Sequence, residues 1–234
     1  MRDFTLALAG AARLLAQGDP ELWQIIRLSL AVTLSATLVA TLVGAPLGAL
    51  LAIARFPGRR VIVVVLNGFM GLPPVVVGLG VYLLLSRSGP LGALGILFTA
   101  KAMVIAQSLL ITPIIASLMR QVVEDAWSEY REQLVSLGAS AWRSGFTLLW
   151  DTRYSLVTAL LAGFGRAAAE VGTVMIVGGN IANYTRVMTT AIALQTSMGD
   201  LPLALALGCV LIAIIIGINA IAYGVRNWAQ RHYR

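Results

Sequence analysis

The chain has 234 residues, of which 59% are hydrophobic and only 12% charged. A soluble domain carries about twice that charged fraction, and the apolar residues here gather in runs of about 20 or more, long enough to cross a bilayer, so a soluble enzyme or binding domain is excluded. The net charge of +7 comes from basic residues scattered around those runs, the pattern of membrane topology rather than of a nucleic-acid surface.

Residues 3–17 form a short, weakly amphipathic stretch containing Arg13, too short to span and read as an interfacial helix. No basic–apolar–cleavage pattern marks a removed signal peptide. Asp19-Pro20 reads as the N-cap and first position of a helix. Hydropathy then predicts five spans: 22–54 (or from 25), long enough to tilt; 61–85; 96–119; 154–177; and 203–225. Residues 178–200 read as a short extra helix or re-entrant segment. The whole chain, 1–234, is expected to be one membrane domain, with 120–153 as the one sizeable polar loop within it.

Arg55, Arg59 and Arg60 follow the first span. Arg120, Arg131, Arg143 and Arg153 lie between the third and fourth, and Arg226, Arg231 and Arg234 in the tail. Ten of the 17 basic residues thus lie on one side. The other side holds Arg2, Arg13, Arg27, Arg87 and Arg186, while Lys101 and Arg166 lie within spans. The positive-inside rule therefore predicts a cytoplasmic 120–153 loop and C-terminus, with the N-terminus outside.

Prolines and glycines punctuate the spans: Gly44-Ala45-Pro46, Gly71-Leu72-Pro73-Pro74, Pro113, Gly163, Gly165 and Gly172. A helix break at membrane depth is tolerated only against protein or a water-filled cavity, whereas small residues simply let helices pack closely; both readings stand at each position. Pro73 and Pro74 form the best hinge or pathway candidate, because two adjacent prolines remove two ladder bonds.

Within the polar segment, Glu132 to Leu137 is expected to be helical, with Gly138 ending or bending that helix. A second helix over about 140–149 leads into the fourth span. Trp127, Trp142 and Trp150 are interleaved with the charges. Two readings follow: insertion into a partner's groove, or a plain interfacial helix with solvated charges.

Arg166 and Glu170 fall near the middle of the fourth predicted span. A charge at the bilayer centre costs at least about 2.5–3.5 kcal/mol, and residues one helical turn apart can compensate each other, although Arg before Glu is the poorer order. The pair either fixes helix packing or faces a pathway as a gate. The second is favoured because an apolar replacement would otherwise be cheaper. Lys101 is close enough to a span end to snorkel. Asn180 and Arg186 lie on the external side. They are either entrance residues for an anion or solvated loop residues.

The lone Cys209 cannot form an intrachain disulfide, and His232 is the one histidine. There is no Gly-x-x-x-x-Gly-Lys-[Ser/Thr] segment, no metal-ligand spacing and no nucleophile elbow. No catalytic, cofactor-binding or metal residue is expected on this chain.

Several segments together carry a family resemblance. Glu132 and Gly138 match in identity and spacing the cytoplasmic Glu-Ala-Ala, three residues, Gly motif of ABC-importer permeases, with Leu148 in the later Ile place. Gln133 and Leu134 depart from Ala-Ala, Ala139 follows the Gly, and Trp150-Asp151 departs from Leu-Pro. The run 72–79 around Pro73-Pro74, the loop Gly89-Pro90-Leu91-Gly92 and the segment 165–172 containing Arg166 and Glu170 resemble oxyanion permeases of the molybdate and tungstate type. The runs 177–181 and 185–192 look most like tungstate permeases. The resemblance covers about 25–225.

The resemblance implies an all-helical, type I importer-like permease with five spans and a cytoplasmic coupling helix, in the inner membrane. It implies two permease subunits, here a homodimer, and a pair of ABC ATPase subunits that hold the ATP and magnesium. An extracytoplasmic oxyanion-binding protein would deliver the substrate. This chain would itself bind no cofactor and no nucleic acid, and carry no appended regulatory domain. Glu132, Gln133, Leu134, Gly138 and Ala139 would couple to the ATPase; Arg166, Glu170, Pro73 and Pro74 would line the pathway or gate. Tungstate is the first choice of substrate, molybdate or another anion the alternative. From a different class, an ion-coupled secondary transporter or channel would use Arg166 and Glu170 as its charge site and predicts an inverted repeat, of which the sequence holds no convincing trace. A membrane scaffold would use the polar loop for a partner other than an ATPase.

Overall fold

The structure is a computed structural model, and it describes residues 20–232 together with positions 5, 9–10 and 12–13. The interfacial helix expected over 3–17 and the Asp19 cap lie largely outside the described residues. Among the described residues there is no strand. The helices are α1 (Pro20–Ile53), α2 (Arg59–Phe69), α3 (Pro74–Leu85), α4 (Ala100–Ser136), α5 (Ala141–Asp151), α6 (Arg153–Ala168), α7 (Gly172–Gly178), α8 (Met188–Met198) and α9 (Leu201–His232), with a single 3-10 turn at Gly92–Leu94. Three of them are long and apolar enough to cross a membrane, and five crossings result if each of two bent pairs is one span.

Those two bent pairs fall in the second and fourth predicted spans, 61–85 and 154–177. In the second span the expected hinge at Pro73-Pro74 is a break in the helix; in the fourth, where apolarity predicts a continuous span, the helix is also interrupted. The first break follows from proline sterics: a proline excludes the helical region for the residue before it. Pro74 therefore holds Pro73 extended (φ −62°, ψ 124°) and itself becomes the first residue of α3, a position that needs no N–H. The second break falls between Ala168 and Gly172. By contrast, α1 and α4 run uninterrupted through Pro46 and Pro113.

The polar segment is also revised. Apolarity ends near Met119, but helicity does not: no glycine or proline occurs between Pro113 and Gly138, and Glu, Gln, Arg and Leu are good helix formers. The third span and the first part of the expected loop are thus one helix of 37 residues. Ser140 caps α5 by accepting from the Arg143 N–H at 3.4 Å. The stretch 178–200 does contain a short helix, α8.

Contacts divide the chain into two compact units, each assembled from separated stretches. The first comprises the chain up to Ser35, Pro73–Gln107 and Ala168–Ile221. Its cores are built from Val32, Val81, Met103, Ala106, Val174 and Val177 in one cluster, and from Leu22, Ile26, Met188, Ala191 and Leu207 in another. Ser29 fastens α8 to α1 by accepting from the Met188 N–H at 2.7 Å.

The second unit comprises Ala36–Leu72, Ser108–Ala167 and the chain from Ala222. Its seam is a run of small residues on α1 at every fourth position: Ala36, Ala40, Gly44, Gly48 and Ala52, all buried. In lipid, apolar surface gains little by leaving the solvent, so close backbone packing carries helix association. A Cβ placed on Gly48 would lie 2.3 Å from the Ala116 carbonyl oxygen, and one on Gly44 would lie 3.0 Å from that of Thr112. The Ser108 hydroxyl reaches the Ala36 carbonyl at 3.2 Å across the same seam.

Candidate functional site

The first unit brings three of the predicted pathway residues together. Glu170 lies in the link between α6 and α7 and is 2% exposed. Its Oε1 accepts from the Thr173 backbone N–H at 2.9 Å, satisfying one of the donors that a helix start leaves open. The Thr173 hydroxyl in turn donates to the Pro74 carbonyl at 2.7 Å, and the Thr189 hydroxyl of α8 donates to the Glu170 carbonyl at 2.8 Å. The two helix breaks, at Pro73-Pro74 and at Glu170, therefore stand side by side. Their backbones approach so closely that a Cβ on Gly78 would lie 2.9 Å from the Thr173 Cα, and one on Gly172 would lie 2.9 Å from Val75. An ionisable side chain buried within a membrane protein is costly and rare, which keeps Glu170 a candidate.

Arg166 and Glu170 do not share one unbroken helix, as a continuous fourth span would have them do. It occupies the last turn of α6, within the second unit, and that helix ends at Ala168 before Glu170 is reached. A cation in a last turn complements the partial negative charge of a helix end.

The external candidates fall in the loop between α7 and α8. Gly179 and Asn180 close α7 with positive φ (73° and 49°), a region open to glycine and tolerated by asparagine. The loop is closed by Thr185, whose hydroxyl donates to the Gly178 carbonyl at 2.5 Å and accepts from the Ile181 N–H at 3.0 Å. Arg186 lies 3.6 Å from Glu21 at the start of α1. That ion pair forms the polar end of an otherwise largely apolar cavity of about 120 Å³ that Ile25, Leu203 and Leu207 also line. Asn180 Oδ1 and Arg186 Nε are buried without a hydrogen-bond partner. Lys101 is exposed in the first turn of α4.

The second unit holds the coupling candidates. Glu132, Gln133 and Leu134 lie on the last turns of α4, with both polar side chains exposed. Gly138 has φ 69°; its N–H bonds to the Val135 carbonyl and the Ala139 N–H to the Leu134 carbonyl, each at 3.0 Å. This is the paired closure of a Schellman motif, which needs a left-handed residue at the position Gly138 occupies. The glycine of the Glu–Gly pattern thus has a physical meaning: it fixes where α4 stops and the chain turns toward α5. At the tip of that turn Leu137 is 81% exposed. Sequence reasoning did not single out Leu137, and an apolar residue in a polar segment is the signal that could have found it. On α4, the Tyr130 hydroxyl is held above its ordinary range by Glu129 and then Asp151.

Residues 44–234 match the family model of the binding-protein-dependent transport system inner membrane component. The chain belongs to that family. It is a multi-pass inner-membrane protein, and its work is transport rather than catalysis. It is 42% identical over 217 residues to the tungstate uptake system permease protein TupB of Peptoclostridium acidaminophilum, covering 93% of this chain and 95% of the relative. It is 36% identical over 172 residues to TupB of Campylobacter jejuni, covering 74% and 72%. A Haloferax volcanii protein named "Probable anion ABC transporter permease protein" is 40% identical over 177 residues, covering 74% and 76%.

Proposed function

We propose that this chain forms the path by which an ATP-driven importer carries tungstate into the cell. The observation that carries this reading is the 42% identity to a tungstate uptake permease over 93% of the chain. The Haloferax volcanii relative, named for anions at large, keeps molybdate or another anion as the alternative substrate.

In this reading an extracytoplasmic binding protein selects the oxyanion and delivers it past Asn180 and Arg186. A pair of ATPase subunits holds ATP and magnesium and docks on the turn from Glu132 to Ala139, with exposed Leu137 as its apolar anchor. The arginine distribution supports a cytoplasmic turn and C-terminus and an external N-terminus. Two copies of the chain enclose the pathway about a two-fold axis. The junction of Pro73, Pro74 and Glu170, together with Arg166, opens and closes it between two global states.

Cellular tungsten and molybdenum, measured by elemental mass spectrometry in parent and deletion strains at trace levels of both oxyanions, test the substrate. Selective loss of tungsten is the expected result. Loss of both metals assigns a shared oxyanion importer, and unchanged levels in a strain without a second importer overturn the reading.

A further inference from the structure

We propose that Arg59 and Glu124 form a positioning clamp that ties α2 to α4, so that movement of the coupling turn reaches the Pro73-Pro74 break. The proposal rests on the coupling reading above. Arg59 is the first residue of α2. Its Nε donates to the Leu51 carbonyl at 2.7 Å, and its Nη2 to the Ala52 carbonyl at 3.3 Å and to Glu124 Oε1 at 2.9 Å. One guanidinium therefore joins three helices: it starts α2, closes the last-turn carbonyls of α1 and holds α4.

Those carbonyls are among the acceptors a helix end leaves open, and α1 has no basic residue of its own in that turn. Gly58, before α2, is left-handed at φ 88° and offers no side-chain cap. The position of the α2 start is thus left to Arg59. On the α4 side, the second oxygen of Glu124 is held by Arg120, whose side chain is 12% exposed. At the other end of α2, the Ser117 hydroxyl of α4 donates to Asn67 at 2.7 Å.

α2 is therefore fixed to α4 by polar contacts at both ends. Glu124 lies about two turns before Glu132 on one unbroken helix, and α2 leads directly into Met70–Pro73. A single exposed ion pair adds little stability. A guanidinium sharing its donors among three fixed acceptors does something else: its planar fork sets the relative geometry of the groups it holds. The net effect is that α4 cannot shift along its axis without moving the start of α2.

The test uses the complete importer in liposomes: this chain, its ATPase subunits and its binding protein, with tungstate uptake and ATP hydrolysis measured together. The variants are Arg59→Gln, Glu124→Met and the double. In each single variant the ATPase still co-purifies, and tungstate moved per ATP falls at least about fivefold. The double variant is no worse than the worse single, because both remove one device. Glu124→Met keeps the side-chain length and helix propensity but offers the Arg59 guanidinium no oxygen, so the proposal stands or falls on it even where Arg59→Gln fails to fold. An unchanged ratio in Glu124→Met, or additive losses in the double, overturns the clamp while leaving the coupling reading intact. Uptake by the parent complex that needs no ATP overturns both.

Discussion

The hydroxyl of Thr173 is bonded to the carbonyl of Pro74, 99 positions away in the chain, and this one contact fastens the break before α7 to the break before α3. A proline pair and a buried glutamate, each readable as a local irregularity, thereby become one junction.

Thr173→Val keeps the shape and removes the donor. The loss is expected to be about 0.5–1.5 kcal/mol, the net worth of one intramolecular hydrogen bond. It is read as a lower thermal midpoint of the detergent-solubilised protein, and transport should fall with it because the two breaks are no longer fastened.

Glu170→Gln and Glu170→Ala should separate capping from charge. Gln still offers an oxygen to the Thr173 N–H, whereas Ala leaves that buried donor open at a cost of about 1–3 kcal/mol. Gln is therefore expected to fold like the parent and Ala to lose thermal stability. Reduced uptake in the well-folded Gln variant would assign the charge itself to the pathway.

Gly48→Ala and Gly217→Ala should differ in sign. The first drives a Cβ into the Ala116 carbonyl, while the second meets nothing within 4 Å in the middle of α9. Overpacking costs about 1–3 kcal/mol, and replacing an unhindered mid-helix glycine gains about 0.5–1 kcal/mol. Thermal midpoints of the two variants, measured side by side, check both.

Within this chain Gly138 has open space around it, so substitutions there strain the backbone without a clash inside the subunit. Asn, which tolerates the left-handed region, is expected to preserve ATPase binding, and Val to weaken it. Co-purification of the ATPase with each variant is the measurement.

Single cysteines at Leu137 and Asn183, in a background lacking Cys209, test the orientation. An impermeant thiol reagent added to intact cells, or to spheroplasts where an outer membrane intervenes, should label position 183 and not 137. Inside-out vesicles should give the reverse.

Much of the architecture was legible in the sequence because apolar run length is a direct record of bilayer thickness. The helix end at Gly138 was legible too, since a left-handed closing residue is nearly a glycine monopoly. The breaks were less so. Pro73-Pro74 announced one of them, but Glu170 looked like a mid-helix charge, because nothing local says that its carboxylate will cap the next helix. The end of α4 was misplaced for a related reason: hydropathy marks where lipid stops, not where the helix does. Arg59 read only as a topology signal, since the carbonyls and carboxylate that it gathers come from positions 8, 7 and 65 residues away.

The α1 seam also has a genetic side. Every nucleotide change that replaces a glycine codon with another amino acid adds at least a Cβ, and at Gly48 that atom has nowhere to go. No single missense step from this codon leads to a smaller residue, so the seam has no neutral neighbours in mutational space there. Divergence among descendants of this gene should therefore spare position 48 and accumulate on the opposite face of the same helix, where Leu34, Leu38 and Leu42 are exposed.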